Sequence, residues 1–171
     1  MKHEAQAVQA TIASPLGDIL IAASAQGLVG VWFHDQKHLP LAEERARWPQ
    51  QPGHAVLQAA ANQLAGYFAG RRSTFDLPLD LGRGTAFQQS VWQALLEIRC
   101  GDTASYSELA QRIGKPRAVR AVGAAVGRNP VSVIVPCHRV VGAGGALTGY
   151  AGGLPRKSAL LELEASGRSL P

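Results

Sequence analysis

The chain carries two cysteines, Cys100 and Cys137, and only Cys137 has neighbours that could make a thiol work as a nucleophile. It lies in Pro136-Cys137-His138-Arg139-Val140. A thiol attacks as its thiolate, and an adjacent base or positive charge favours that form, so His138 is a candidate base. Neighbours on a strand point to opposite faces; contact between Cys137 and His138 therefore requires a turn or a bridging water. Glu164 is the third candidate. It follows Leu160 by four residues and Leu161 by three in a closing helix that Pro155 starts, so its carboxylate shares a face with leucines that should be buried. A carboxylate so placed needs a partner, and a histidine to be oriented and charged is a natural one. The same residues also allow plainer readings, with Cys137 an inert buried thiol and Glu164 an exposed residue at a helix end.

The elements that must position these groups can be read outward from the cysteine. The run Val131-Ser132-Val133-Ile134-Val135 reads as a buried strand or extended segment entered from Asn129-Pro130. Upstream, Ser105-Tyr106-Ser107-Glu108 has the form of a capping box leading a short helix that Gly114 stops. Pro116 suits the first turn of a second helix, to about Arg128. The pair makes a helix-turn-helix whose second member carries Arg117 and Arg120 among Ala118, Ala121, Gly123, Ala124 and Ala125, residues small enough for close approach to another backbone. Two core helices with inward-facing alanines would read the same way. Thr85, with Gln88 three residues on, caps an earlier helix to about Ile98 on which Phe87, Val91 and Leu95 repeat every four residues.

Residues 7–12, 18–23 and 28–33 alternate as strands, separated by Pro15-Leu16-Gly17 and Gln26-Gly27. Residues 54–69 read as a helix with Leu57, Ala61, Leu64 and Phe68 on one face and Gly70 as its C-cap. A connector over 71–84 holds the expected boundary, giving an N-terminal α/β domain over 1–82 and a mainly helical C-terminal domain over 83–171. The fold class is α/β (α+β): a small antiparallel sheet with a helix, followed by a unit containing the helix-turn-helix.

Of the 171 residues 46% are hydrophobic and 17% charged, which excludes disorder, collagen and coiled coil. The longest uncharged stretch of the second half, 140–155, is glycine-rich and shorter than the roughly 20 residues a bilayer needs. The opening Met1-Lys2-His3-Glu4-Ala5-Gln6 lacks the apolar stretch of a secretory signal, and two cysteines make no disulfide framework, so a cytoplasmic setting is expected. The net charge of +5 resides entirely in the second half. Between Glu108 and Glu162 there are eight basic residues and no acid. Such a segment suits a polyanion, phosphates being the commonest, although a high-pI protein that binds nothing has the same composition.

These residues resemble the O6-alkylguanine-DNA alkyltransferases. The likeness spans 85–164 and rests on Pro136-Cys137-His138-Arg139-Val140 together with Ser105-Tyr106, Arg120-Ala121-Val122-Gly123, Asn129-Pro130, Gly149-Tyr150-Ala151-Gly152-Gly153 and Leu160-Leu161-Glu162-Leu163-Glu164, in the right order and spacing. The resemblance implies a DNA repair protein that flips an alkylated guanine out of duplex DNA and moves the alkyl group from O6 to Cys137, once and irreversibly. It implies that His138, through a water and oriented by Glu164, takes the thiol proton, and that Asn129 ties down the cysteine's turn. Tyr106 would hydrogen-bond the guanine ring nitrogen and crowd the phosphate. Arg120 would fill the vacated stack, with Ser107, Arg117, Ala121 and Gly123 against the minor groove. Val140, Tyr150 and Ala151 fall where the family's pocket reads guanine.

The implied partner is double-stranded DNA carrying O6-alkylguanine, with O4-alkylthymine a further candidate; the protein would act as a monomer, without membrane or cofactor. Some relatives hold a zinc through N-terminal cysteines. This chain has none before Cys100, leaving His3, His34, His38 and His54 without thiol partners, so no metal site is expected. Val119 and Val126 replace smaller or polar residues and are expected to alter groove contacts without touching the chemistry. Cys100 reads as structural and unreactive, in a turn before Gly101-Asp102. A hydrolytic cysteine enzyme and a helix-turn-helix damage sensor without chemistry are the competing functions.

Overall fold

The computed structural model describes residues 6–170. Met1–Ala5, with His3 and most of the stretch weighed as a signal, lie outside the described residues. Strands β1 (Val8–Ile12), β2 (Ile19–Ser24) and β3 (Gly27–Phe33) form an antiparallel sheet in that order. Every residue of β2 and β3 is buried, because the sheet is covered on both faces. Ile19, Ile21, Leu28, Val31 and Phe33 join the main core, which includes Leu57, Ala60 and Leu64 of helix α2 (Ala55–Phe68). Leu20, Val29, Trp32 and Trp48 form a smaller cluster, with the two indoles stacked at 6.1 Å. Gly30 is obligatory there: a Cβ would meet the Trp32 ring at 1.7 Å. Between β3 and α2 lies the short exposed helix α1 (Ala42–Ala46).

The second half is helical. Helix α3 (Ala86–Leu95) opens on the expected capping box, with Thr85 Oγ1 accepting from Gln88 N (3.1 Å) and Gln88 Oε1 accepting from Thr85 N (3.0 Å). The short strand β4 (Ala104–Ser105) leads into α4 (Tyr106–Arg112). Only half of the second expected box forms. Ser105 Oγ accepts from Glu108 N (3.1 Å), but the Glu108 carboxylate lies 4.0 Å from Arg112 one turn on. Helix α5 (Val119–Gly127) begins later than its sequence suggests. Pro116 sits ahead of it, in a turn closed by Ala118 N donating to Lys115 O (2.9 Å), where proline's fixed φ suits the second position. A strand β5 (Val140–Val141) and helix α6 (Leu154–Ser166) complete the chain, α6 with proline in its first turn and Gly167 as a left-handed C-cap.

One continuous core runs from the sheet through α3, α5 and α6. Backbone bonds join the halves: Val31 N donates to Pro130 O (2.9 Å) and Ser132 N to Val31 O (3.0 Å), so the edge of β3 anchors the segment that precedes Cys137. No helix among the described residues is long and apolar enough to cross a membrane.

Candidate active site

Residues 131–135 are not the strand that their β-branched side chains suggest; only Val131 bridges to β3. Beyond it the chain turns sharply. Ile134 N donates to Ser132 O (2.8 Å) across Val133, whose φ of 71° lies in the left-handed region, a γ-turn rare for a β-branched residue. Cys137 N donates to Val135 O (2.8 Å) across Pro136, at φ −83° and ψ 63°, a turn of the opposite hand. The buried Asn129 side chain holds these turns: Nδ2 donates to Val135 O (2.7 Å) and Val131 O (3.4 Å), and Oδ1 accepts from Val131 N (2.9 Å). A residue with these side-chain bonds overrides the local strand preference. Cys137–Arg139 then form a single 3-10 turn, so Cys137 and His138 are neighbours on a turn rather than on a strand.

Strand β5 pairs parallel with β4, Ala104 opposite Val140 and Ser105 opposite Val141, which sets the start of α4 beside the cysteine turn. A cavity of about 210 Å³ results, with Cys137, Tyr106, Gly123, Tyr150 and Ala151 in its walls. Val126 lines it too, correcting the expectation that this valine stays clear of the chemistry. Lys37 and His38, from the first half, close one side, and Lys37 N donates to Ala151 O (2.9 Å). Val140 is fully buried in β5 and is not in the cavity wall. Arg117, Arg120, Ala121, Ala124 and Ser107 are exposed, while Val122, Ala125 and Val126 face inward. The small residues of α5 are thus divided between the core and an open surface beside the cavity.

Behind the cysteine, His138 is fully buried and its Nε2 lies 3.0 Å from each oxygen of Glu164, whose side chain is 1% exposed. The ionised carboxylate assigns the ring proton to Nε2. Nδ1 is then the lone-pair nitrogen, buried without a hydrogen-bond partner among the described residues. Glu164 has two further partners that sequence reading missed. Arg139 donates from Nε to Oε1 (2.8 Å) and from Nη2 to Oε2 (2.7 Å), with Nη1 on Ile98 O (2.6 Å). Tyr67 of α2 donates its hydroxyl to Oε2 (2.8 Å). Arg139 could have been suspected beside His138; Tyr67, 97 residues from Glu164, left no signal. Cys100 is half-buried near Glu164, and burial, then the carboxylate's charge, raises its pKa.

Burial dominates the electrostatics. It pushes the Cys137 thiol up to about 11, against the opposing pull of an Asn129 hydrogen bond and the Lys157 charge. Burial also lowers His138, with Glu164 pulling the other way. Burial alone would raise Glu164, but hydrogen bonds from Arg139 and His138 outweigh it and hold the carboxyl at about 2. Lys157 was also missed. It is fully buried on α6, and its Nζ donates to Thr148 O (2.6 Å) and Gly149 O (3.3 Å), tying down the loop that ends in Tyr150 and Ala151.

This fold and site define a class: a small antiparallel sheet joined to a helix-turn-helix unit that presents a buried cysteine backed by a histidine–carboxylate pair. Residues 7–81 match the sequence model of the 6-O-methylguanine DNA methyltransferase ribonuclease-like domain, and 86–166 that of the same family's DNA-binding domain. The chain is 51% identical over 156 residues to a methylated-DNA–protein-cysteine methyltransferase of Mycobacterium tuberculosis, covering 91% of each, and 48% identical over 157 residues to one of Methanosarcina mazei, covering 90% and 94%. It is similar to the crystal structure of Mycobacterium tuberculosis O6-methylguanine methyltransferase (TM-score 0.85, 48% identity, 97% of each chain) and to that of Mycobacterium tuberculosis OGT in complex with DNA (TM-score 0.84, 50% identity, 93% of each chain). The chain belongs to the O6-methylguanine DNA methyltransferase family.

Proposed function

We propose that this protein repairs duplex DNA as a methylated-DNA–protein-cysteine methyltransferase, taking the alkyl group of O6-alkylguanine onto Cys137 in a single turnover. The observation that carries the reading is the position of the thiol: 4% exposed, in a cavity of about 210 Å³ that adjoins the exposed face of a basic helix-turn-helix. A thiol so recessed cannot reach O6 of a stacked base, so the base must come to it by leaving the stack. In this reading Arg120, exposed on α5, fills the gap, and Ser107, Arg117, Ala121 and Gly123 meet the backbone.

In the chemical step the Cys137 Sγ–carbon bond forms as the carbon–O6 bond breaks. The thiol proton passes to His138 Nδ1, directly or across one water, while Glu164 stabilises the imidazolium through Nε2. The electron pair leaves with guanine O6, and a hydrogen bond donated by the Tyr106 hydroxyl to the ring nitrogen makes the base a better leaving group. Asn129 holds the cysteine turn, and Tyr150 and Ala151 bound the space the base occupies. A thioether is not a leaving group at neutral pH, and Cys100 lies in the wall of a different cavity, so nothing in this reading regenerates Cys137. The groups required lie within one chain, which suits a monomer needing no cofactor. O4-alkylthymine is a second candidate substrate.

A hydrolytic cysteine enzyme would have no use for the exposed arginines of α5. The test is transfer of labelled methyl from an O6-methylguanine duplex: wild type should become labelled, and Cys137→Ser should bind the duplex but remain unlabelled. Labelling of Cys137→Ser would refute the assignment.

A further inference from the structure

The carboxylate of Glu164 receives more donors than a histidine support requires, and one comes from the opposite half of the chain. Oε1 accepts from His138 and Arg139; Oε2 accepts from His138, Arg139 and Tyr67. Tyr67 is 2% exposed, and its ring is held edge-on by Phe68 (5.4 Å, 70°) and against Phe75 (5.4 Å). The C-terminal end of the helix that carries it packs against the residues that follow α6. Gly70, at φ 72°, sits so close to the end of α6 that a Cβ would meet Gly167 O at 2.8 Å, and Leu170 N donates to Phe68 O (2.9 Å). Tyr67 Oη is thereby aimed at one oxygen of one carboxylate. Among the described residues its side-chain hydrogen bond is with the group that supports the histidine, which makes a purely space-filling role a poor account of the hydroxyl.

We propose that Tyr67 is a positioning residue for the alkyl-transfer site, restraining the proton affinity of His138 by drawing charge from Glu164 Oε2. The inference rests on the proton relay described above. A carboxylate oxygen shared among three donors has less charge to lend any one of them, and in a buried site hydrogen bonds to the charged form set how strongly it supports a neighbouring cation. Arg139 acts in the same sense with a full charge, and Tyr67 adds to it without one. The other titratable groups facing this pair are Cys100 at Glu164, Lys157 towards His138 and Cys137, and Tyr150 towards Cys137 and Glu164. Of these, Cys100 also faces Tyr67. The consequence is a resting site in which His138 stays neutral and Cys137 stays a thiol until substrate arrives, with the first half of the chain setting that balance.

The test is Tyr67→Phe, which keeps the ring and removes only the donor. NMR titration of the His138 ring in the DNA-free protein reads the relay without any alkyl transfer, so it can fail independently of the proposed function. The expected result is a rise in His138 proton affinity of roughly two- to fivefold, in keeping with the loss of one neutral hydrogen bond. The acid limb of the pH–rate profile for Cys137 alkylation by free O6-benzylguanine should move to higher pH with it in the same variant, because His138 must be neutral to take the thiol proton. An unchanged or lowered His138 midpoint, or a rate reduced equally at every pH, would overturn the proposal. A fluorotyrosine at position 67 keeps the packing and strengthens the donor; it should lower His138 proton affinity, and a rise or no change would count equally against the idea.

Discussion

At Glu164 a single carboxylate links the histidine next to the buried Cys137 thiol to the stability of the fold. Its pKa is held at about 2, below the ordinary 4.5, so the stability it contributes is complete above about 4.5 and is lost as pH falls towards 2. Glu164→Gln should therefore show a flatter loss of stability over that window in acid unfolding followed by circular dichroism; a curve parallel to wild type would contradict it. The same variant, or His138→Ala, should raise the pH at which Cys137 reacts with O6-benzylguanine, because the thiol already sits at about 11 and loses its base. A superimposable pH–rate profile would remove the relay. Cys137, His138 and Glu164 were legible in the sequence through a short motif and through a carboxylate in register with leucines. Tyr67, Arg139 and Lys157 were not, because long-range partners of a buried charge have no periodicity, and a lysine or tyrosine on a helix reads as surface or core.

Among the elements, those with a local cause were readable and those imposed by distant contacts were not. The hairpin strands, α2 and the capped α3 follow from alternation, helical spacing and Thr85–Gln88; Thr85→Ala should lower stability by roughly 1 kcal/mol in urea unfolding. The turn over 131–135 follows from the Asn129 side chain and the edge of β3, against the preference of three valines and an isoleucine. Asn129→Ala should cost roughly 1–3 kcal/mol for each buried backbone group it orphans, with loss of Cys137 reactivity beyond what the stability change explains. The helix-turn-helix was read correctly as two short helices, but its second member starts at Val119 because the chain closes a turn around Pro116 first. At this scale Arg120→Ala should slow repair of duplex DNA far more than reaction with free O6-benzylguanine. Equal losses would mean that Arg120 serves the cavity rather than the duplex.

For the whole molecule, the two halves share one core, and residues of both line the cavity at Cys137. Arg156 of α6 stitches them, donating to Leu16 O (2.8 Å), pairing with Asp35 and lying 4.6 Å over the Phe33 ring. The one-signed charge between Glu108 and Glu162 is spread along the helix-turn-helix and beyond it, so duplex binding should weaken steeply with salt. The central claim is stoichiometric transfer to one sulfur. Its most direct test is the intact mass of the protein after incubation with excess duplex containing one O6-methylguanine, followed by peptide mapping. The account predicts a single methyl on Cys137 and no further change while methylated DNA remains; repaired DNA in molar excess over protein, or a methyl mapped elsewhere, would contradict it.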